Sequence, residues 1–244
     1  MPVSTYSSLL AQQAAVRGED LIIELDGERI SLAQLDRRAN QSARGLMRLG
    51  AVAGSRIAIM LPDSPEFLYA FFGSQRLGTC AVPIPADAQG DSLAALLAAA
   101  DSSVLIIHND LHKVFRRVAK QVPVVKRVAV SLRDASPVMK IFPGVDIMQD
   151  WFDQLPADPP VVPAPKKTVP AVVFFTAGEG GSGEVTYGAG LGNVEAAAKM
   201  ILGRGDRIRP GRPFSDRHFF EITLPAVLLA GAVISIPAPE QPAE

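Results

Sequence analysis

The chain has 244 residues, with 24 Lys and Arg against 25 Asp and Glu, a formal net charge of −1. With 48% hydrophobic and 20% charged residues it is no disordered chain and can bury a sizeable core. Its charge balance and 6% aromatic content argue against a nucleic-acid binder held by a basic face or by stacking. At roughly 150 residues per domain, the length suits one large domain or two small ones. The single cysteine, Cys80, can form neither an internal disulfide nor, alone, a zinc site. A reducing, cytoplasmic setting is therefore the expectation.

Met1 to Gln13 carries no basic leader region and no long apolar run, so it does not read as a signal peptide. Leu21–Leu25, the turn Asp26-Gly27 and Glu28–Ile30 predict a short hairpin. Ser31 caps the following helix with Gln34 three residues on, as in a capping box. Leu32, Leu35, Ala39, Leu46 and Leu49 share one face of it, and Gly50 ends it. Arg56–Leu61 is an apolar strand. Ser64 then caps a helix with Pro65 as its first residue, running to Leu77 and stopping at Gly78. Thr79–Ile84 is the next strand. A helix over Ser92–Ala100, a strand over Val104–Ile107, a helix over Leu111–Lys120 and a strand over Val128–Val130 continue the alternation.

Strands that are continuous apolar runs, alternating with helices, predict an α/β fold: a layered α/β/α arrangement around a mainly parallel sheet. Pro156–Pro170 holds six prolines and reads either as a stiff connection between two parts or as a surface crossing within one domain. On the first reading, residues 1–155 form one α/β subdomain, 156–170 the connection, and 171–244 the start of a second. Ala171–Phe175 is a strand and Val194–Leu202 a helix. Ile222–Pro239 carries no charge over 18 residues. It reads as a buried helix over Leu224–Ala230, a stop at Gly231 and a buried strand over Ala232–Ile236. A membrane anchor is the alternative, at the lower limit of length.

Gly178–Gly192 contains seven glycines directly after the strand ending at Phe175. Such a loop can wrap backbone N–H groups around a phosphate, because glycine lets the chain approach an anion closely and take positive φ. The Gly178 to Gly183 spacing mimics a Walker loop, but Glu184 stands where that motif has Lys. A surface loop without a ligand is the competing reading.

Two segments together resemble the adenylate-forming superfamily of acyl- and aryl-CoA ligases, peptide-synthetase adenylation domains and luciferases. The first is Ile30-Ser31-Leu32-Ala33-Gln34-Leu35-Asp36-Arg37-Arg38-Ala39-Asn40, through Gly45-Leu46 and Leu49-Gly50-Ala51. It continues over Gly54 to Phe67 and on to Val82-Pro83-Ile84. The second is Phe175-Thr176-Ala177-Gly178, at the place of the family's phosphate loop, [YF]TSGTTGxPKG. A third, His218-Phe219-Phe220-Glu221 through Leu228-Leu229-Ala230-Gly231-Ala232, looks like the family's FHxxG helix followed by a strand. The resemblance implies activation of a carboxylic acid by ATP and Mg²⁺ to an acyl-adenylate, with transfer to a thiol such as coenzyme A. It places the phosphates on Thr176, Gly178, Gly180, Gly181, Ser182 and Gly183. It places a carboxylic acid or acyl ligand against His218 and Glu221.

The sequence departs from that pattern. Read without gaps, the family's serine is Ala177, its threonines Glu179 and Gly180, its proline Gly183 and its lysine Glu184. A carboxylate about 4 Å from phosphate costs about 4 kcal/mol at an effective dielectric of about 20, unless Mg²⁺ bridges Glu184 to it. Gly188, Ala189 and Gly190 stand where the family carries Thr and His, and Glu221 replaces a glycine, which would narrow or charge an acyl tunnel. The chain stops before the later motifs that supply the adenine pocket, the metal-binding acid, the ribose-binding aspartate and the catalytic lysine. The expectation is an acyl-CoA ligase-like domain inactive alone, with residual nucleotide or acyl binding. The alternatives are a non-catalytic pseudoenzyme scaffold and half of a split ligase. Leu224–Ile236 and neighbouring strands would leave an open edge or apolar patch, which a homo-oligomer or another protein would cover.

His108 and His112 are expected at a strand end and on the next helix rather than on a metal. Cys80 reads as a buried structural thiol. Arg116, Arg117, Lys120, Lys126 and Arg127 read as a solvated face, with a phosphate or CoA contact as the alternative. Arg204, Arg207, Arg209 and Arg212 read as surface charge.

Overall fold

The structure is a computed structural model, and it describes residues 5–25, 27–137, 141–175, 182–187 and 202–236. It opens with a helix the sequence reading did not place, α1 (Tyr6–Arg17), capped by Thr5 and Ser8 in a reciprocal capping box. Its apolar signal is short because only Tyr6, Leu9 and Leu10 are large buried residues. The hairpin follows as β1 (Leu21–Leu25) and β2 (Glu28–Ser31). Ser31 and Gln34 form the expected capping box of α2 (Leu32–Arg48). Then come β3 (Arg56–Met60), α3 (Pro65–Leu77), β4 (Cys80–Pro83), α4 (Gly90–Ala100), β5 (Val104–His108), α5 (Asn109–Val118) and β6 (Arg127–Ser131). Each overlaps its predicted segment.

Two further elements, β7 (Asp146–Ile147) and α6 (Met148–Gln154), precede the proline-rich stretch. They are too short for periodicity to reveal. Beyond it lie β8 (Pro170–Phe175), β9 (Ser182–Thr186), β10 (Arg207–Ile208), α7 (Leu224–Ala230) and β11 (Val233–Ile236). The helix predicted over Val194–Leu202 lies, but for Leu202, outside the described residues.

Seven strands form one sheet in the order β7-β6-β5-β3-β4-β8-β9, parallel except for β9, which returns antiparallel to β8. Four form a second, β10-β11-β1-β2. Both sheets draw strands from either side of residues 156–169. Helix α2 fastens the start of that stretch: Asn40 Nδ2 donates to Ala157 O (2.9 Å), Gln41 Nε2 to Leu155 O (2.9 Å), and Arg44 pairs with Asp158 (2.5 Å).

The large sheet is covered on both faces, as its apolar strands require. On β3, Ile57 and Ile59 enter the core that holds α1, α2, α3 and the second sheet. Ala58 and Met60 enter a separate core with α4 and α5. The alternation is the two-residue period of a strand. α2 and α3 come together across Gly73, where an added Cβ would lie 2.6 Å from Ser42 Cβ. On the same helix as Ser42, Gly45 faces the Trp151 indole so closely that a Cβ would overlap the ring.

Among the described residues β11 itself is not an edge strand. β11 lies between β10 and β1, and Val233 and Ile234 are buried. Among the described residues the exposed large hydrophobics are the scattered Val16, Met47, Val52, Ile141 and Val161. α7 is seven residues long, and no helix among the described residues is long and apolar enough to cross a membrane.

Gly45→Ala should destabilise the protein by about 2 kcal/mol or more through overpacking against Trp151, lowering Tm by roughly 5 °C. Gly211→Ala, where an added Cβ meets nothing within 4 Å, should change stability by less than about 0.5 kcal/mol. Thermal melts of the two variants check this.

Candidate functional site

In open parallel sheets ligands sit outside the carboxyl ends of the strands, where the strand order reverses. Here the chain goes from β3 to β4 on one side and returns to β5 on the other, so the reversal lies between β3 and β5. A cavity of about 190 Å³ opens there, bounded in part by Pro62, Ser64, His108 and Arg133. Arg133 borders it and is ion-paired to Glu66 on α3 and to Glu28 on β2 (2.6 Å). Burial lifts the Glu66 carboxyl above its ordinary range, and the Arg133 charge offsets part of that shift.

The second place is the turn from β8 to β9. Phe175 and Ser182 are paired at its base, so residues 176–181 make the connection. Thr176, Gly178, Gly180 and Gly181 lie outside the described residues, as do Glu179, Gly188, Ala189 and Gly190. Ser182 and Gly183 are strand residues of β9, opposite Phe175 and Phe174. Glu184 is not in the loop. It stands opposite Val173, and its carboxylate is 3.8 Å from the guanidinium of Arg56, at the amino-terminal start of β3. The glycine spacing carried the loop reading past Ser182. Pairing with β8 ends it there, and residue 184 faces Arg56.

A residue the sequence reading did not single out flanks this turn. Arg217 Nη1 would lie 3.3 Å from a Cβ built on Gly183, and Arg217 Nε donates to Glu221 Oε1 (2.7 Å). The structure therefore gathers Gly183 and Glu221 around one cation, and the Glu221 charge is paired rather than left bare. Its i, i+4 spacing to Glu221 was the available signal. His218 is exposed, and its backbone N–H is held by Asp216 Oδ1 (2.8 Å).

An aromatic cluster fixes this helical segment. Residues Phe219–Thr223 form a π-helical turn leading into α7. Phe220 packs on Phe71 (4.5 Å), Phe174 (5.5 Å) and Phe67 (6.0 Å), and Phe214 stacks on Phe219 (4.2 Å). Tyr6 OH donates to Phe220 O (2.9 Å), so α1 supports the turn directly. Asp63 accepts from Phe214 N (2.7 Å), and burial raises its carboxyl above the ordinary value. The Pro62-Asp63-Ser64-Pro65 turn at the end of β3 thereby positions the approach to His218. At the other end of α7, Gly231 takes φ 74° and Arg17 donates to Leu228 O (2.6 Å).

This layering matches known proteins. The profile of the family described as AMP-binding enzyme matches residues 10–181. The chain belongs to that family. Over 97% of its length this AMP-binding domain superimposes with a TM-score of 0.84 and 18% identity on 44% of the anthranilate CoA ligase AuaEII, crystallised with anthranoyl-AMP. The N-terminal domain of FACL13 from Mycobacterium tuberculosis gives a TM-score of 0.80 at 22% identity, covering 96% of this chain and 57% of that one. In sequence it is 28% identical over 186 residues to long-chain fatty acid transport protein 2 of Rattus norvegicus, 74% of this chain and 29% of that protein. It is 36% identical over 78 residues to the long-chain-fatty-acid–CoA ligase FadD13 of Mycobacterium tuberculosis, 32% of this chain and 16% of the relative. The chain thus spans less than a third of the length of these curated relatives. It is an acyl-CoA ligase-like AMP-binding domain.

At the turn the described residues are Ser182 and Gly183, with the Arg217 guanidinium beside Gly183, while Glu184 faces Arg56.

His108 ends β5, its Nε2 2.6 Å from Arg133 O and its Nδ1 accepting from Asp110 N. His112 is buried on α5 between Phe115 and Phe142, and among the described residues no group of three His, Cys, Asp or Glu could hold a metal. Arg116 lies 4.1 Å from the Phe142 ring centroid, while Arg117, Lys120, Lys126 and Arg127 are exposed. Arg204, Arg207 and Arg212 pair with Asp20, Glu24 and Asp216. Cys80 is buried in β4, and burial pushes its thiol up to about 12.

Cys80 should therefore resist a thiol reagent in the native protein at pH 8 and react fully after denaturation, as absorbance at fixed reagent reports. Burial, with Arg116 adding, holds the His112 imidazole below its ordinary value of 6.5. The unfolded chain then binds the proton first, so this group's contribution to stability is present above pH 6.5 and lost as pH falls below it. His112→Gln should flatten that part of the stability profile in denaturant melts.

Proposed function

We propose that this AMP-binding domain does not adenylate carboxylic acids by itself and retains at most residual binding of a nucleotide or acyl ligand. One observation carries the reading. The residue at the position of the phosphate-loop lysine, Glu184, sits in β9 and faces Arg56. Adenylation needs cationic and hydrogen-bonding groups preorganised around the phosphoryl centre, and a carboxylate facing Arg56 at the start of β3 supplies neither. Thr176, Gly178, Gly180, Gly181, Ser182 and Gly183 remain the proposed phosphate contacts and His218 and Glu221 the proposed acyl contacts, with ATP and Mg²⁺ as the ligands tested. A lone buried cysteine suits a reducing, cytoplasmic setting.

ATP–pyrophosphate exchange with Mg²⁺ and a panel of fatty and aryl carboxylic acids should stay at background for the 244-residue chain. Exchange above background, or tight calorimetric binding of a non-hydrolysable acyl-adenylate analogue, overturns the reading. Glu184→Lys should also leave exchange at background, since side chain 184 points away from the turn. Exchange that appears only when a second polypeptide is added would identify a complemented ligase.

A further inference from the structure

A cavity of about 410 Å³ lies away from the β8–β9 turn, walled by β2, α2, α3 and α6. Its chemistry is lopsided toward donors. Arg38 reaches it from α2 already braced: its Nη1 donates to Gln41 Oε1 (3.1 Å) and Phe152 O (3.0 Å), and its guanidinium lies 4.8 Å from the Phe152 ring centroid. Among the described residues nothing bonds to its Nε or Nη2. Arg37 is exposed at the same cavity and has no ion pair among the described residues. Tyr69 is 4% exposed, its ring set edge-on against Phe152 at 5.4 Å, yet its hydroxyl has no hydrogen-bond partner among the described residues. Burial, with Glu66 and Glu28 adding to it, keeps that hydroxyl protonated and hence a donor.

Glu28 also borders the cavity, but its carboxylate is tied to Arg133 at 2.6 Å. The Arg37 guanidinium, the free nitrogens of Arg38 and the Tyr69 hydroxyl are left as donors facing one space. Guanidinium forks match carboxylate and phosphate oxygens.

We propose that this cavity binds a small organic anion through a phosphate or carboxylate head, with Arg37, Arg38 and Tyr69 as donors and the Phe152 ring as the wall for its organic part. The site is independent of the phosphate-loop reading above.

The test is a calorimetric titration of the full chain with inorganic phosphate, phenyl phosphate and benzoate at low ionic strength, where such contacts are least screened. Saturable binding of at least one probe is expected, and comparing phenyl phosphate with benzoate separates the two head groups. Arg37→Gln, at an exposed and unpaired position, should leave the unliganded Tm unchanged and weaken binding roughly tenfold. Tyr69→Phe should weaken it several-fold. No saturable binding of any probe by the wild-type chain overturns the proposal, and so does binding that Arg37→Gln leaves unchanged.

Discussion

Everything in this fold hangs on how closely α2 and α3 approach each other. The two helices touch backbone to side chain at Gly73 and Ser42, where one methyl group would already clash. Because they fit so tightly, α2 can serve the small sheet while α3 serves the large one, and a single apolar core reaches from Ile23 through Leu35 and Phe71 to Ile59. Gly45 continues the same logic on α2, admitting the Trp151 indole of α6. Interiors packed to crystal density have no slack to absorb an added methyl at such points.

From that layer the site is positioned in steps. α3 carries Phe67 and Phe71, which hold Phe214 and Phe220. α1, pinned on α2 and α3, delivers the Tyr6 hydroxyl to the Phe220 carbonyl. Gln75 of α3 donates to Ala171 O (2.9 Å), and Tyr187 donates to Thr79 O (2.7 Å), tying the β8–β9 hairpin to the same helix and its following strand. The hairpin and the His218–Glu221 turn are thus referenced to one rigid body. Charge follows the same plan: Arg133 links both sheets through Glu66 and Glu28, at the place where a sheet of this order otherwise opens toward a ligand.

Legibility in the sequence followed the length and regularity of each segment. α2, α3 and the strands from β3 to β6 could be read because their cap residues and apolar runs are local signals. α1 was missed because its buried face is short, and β7 and α6 because two and seven residues hold no period. At the site, Gly183 and Glu221 could be named from motif position, whereas Arg217 could not. Its importance comes from lying beside Gly183, a contact between residues far apart in the chain. By glycine spacing Glu184 reads as part of the loop, because glycines on both sides hide the start of a strand that only pairing with Val173 reveals.

Local propensity and spacing are enough to read the α/β class, the order of most elements and the family signal in the Ile30–Ile84 and Phe175–Gly178 segments. Read without gaps against the family's loop, they also put Glu184 where a lysine is expected. Three features come from long-range pairing alone: both sheets take strands from either side of residues 156–169, β11 is flanked on both sides, and Glu184 faces Arg56. Those outcomes depend on which strands pair and which edge each side chain then reaches, and pairing partners far apart in sequence leave no mark on local periodicity.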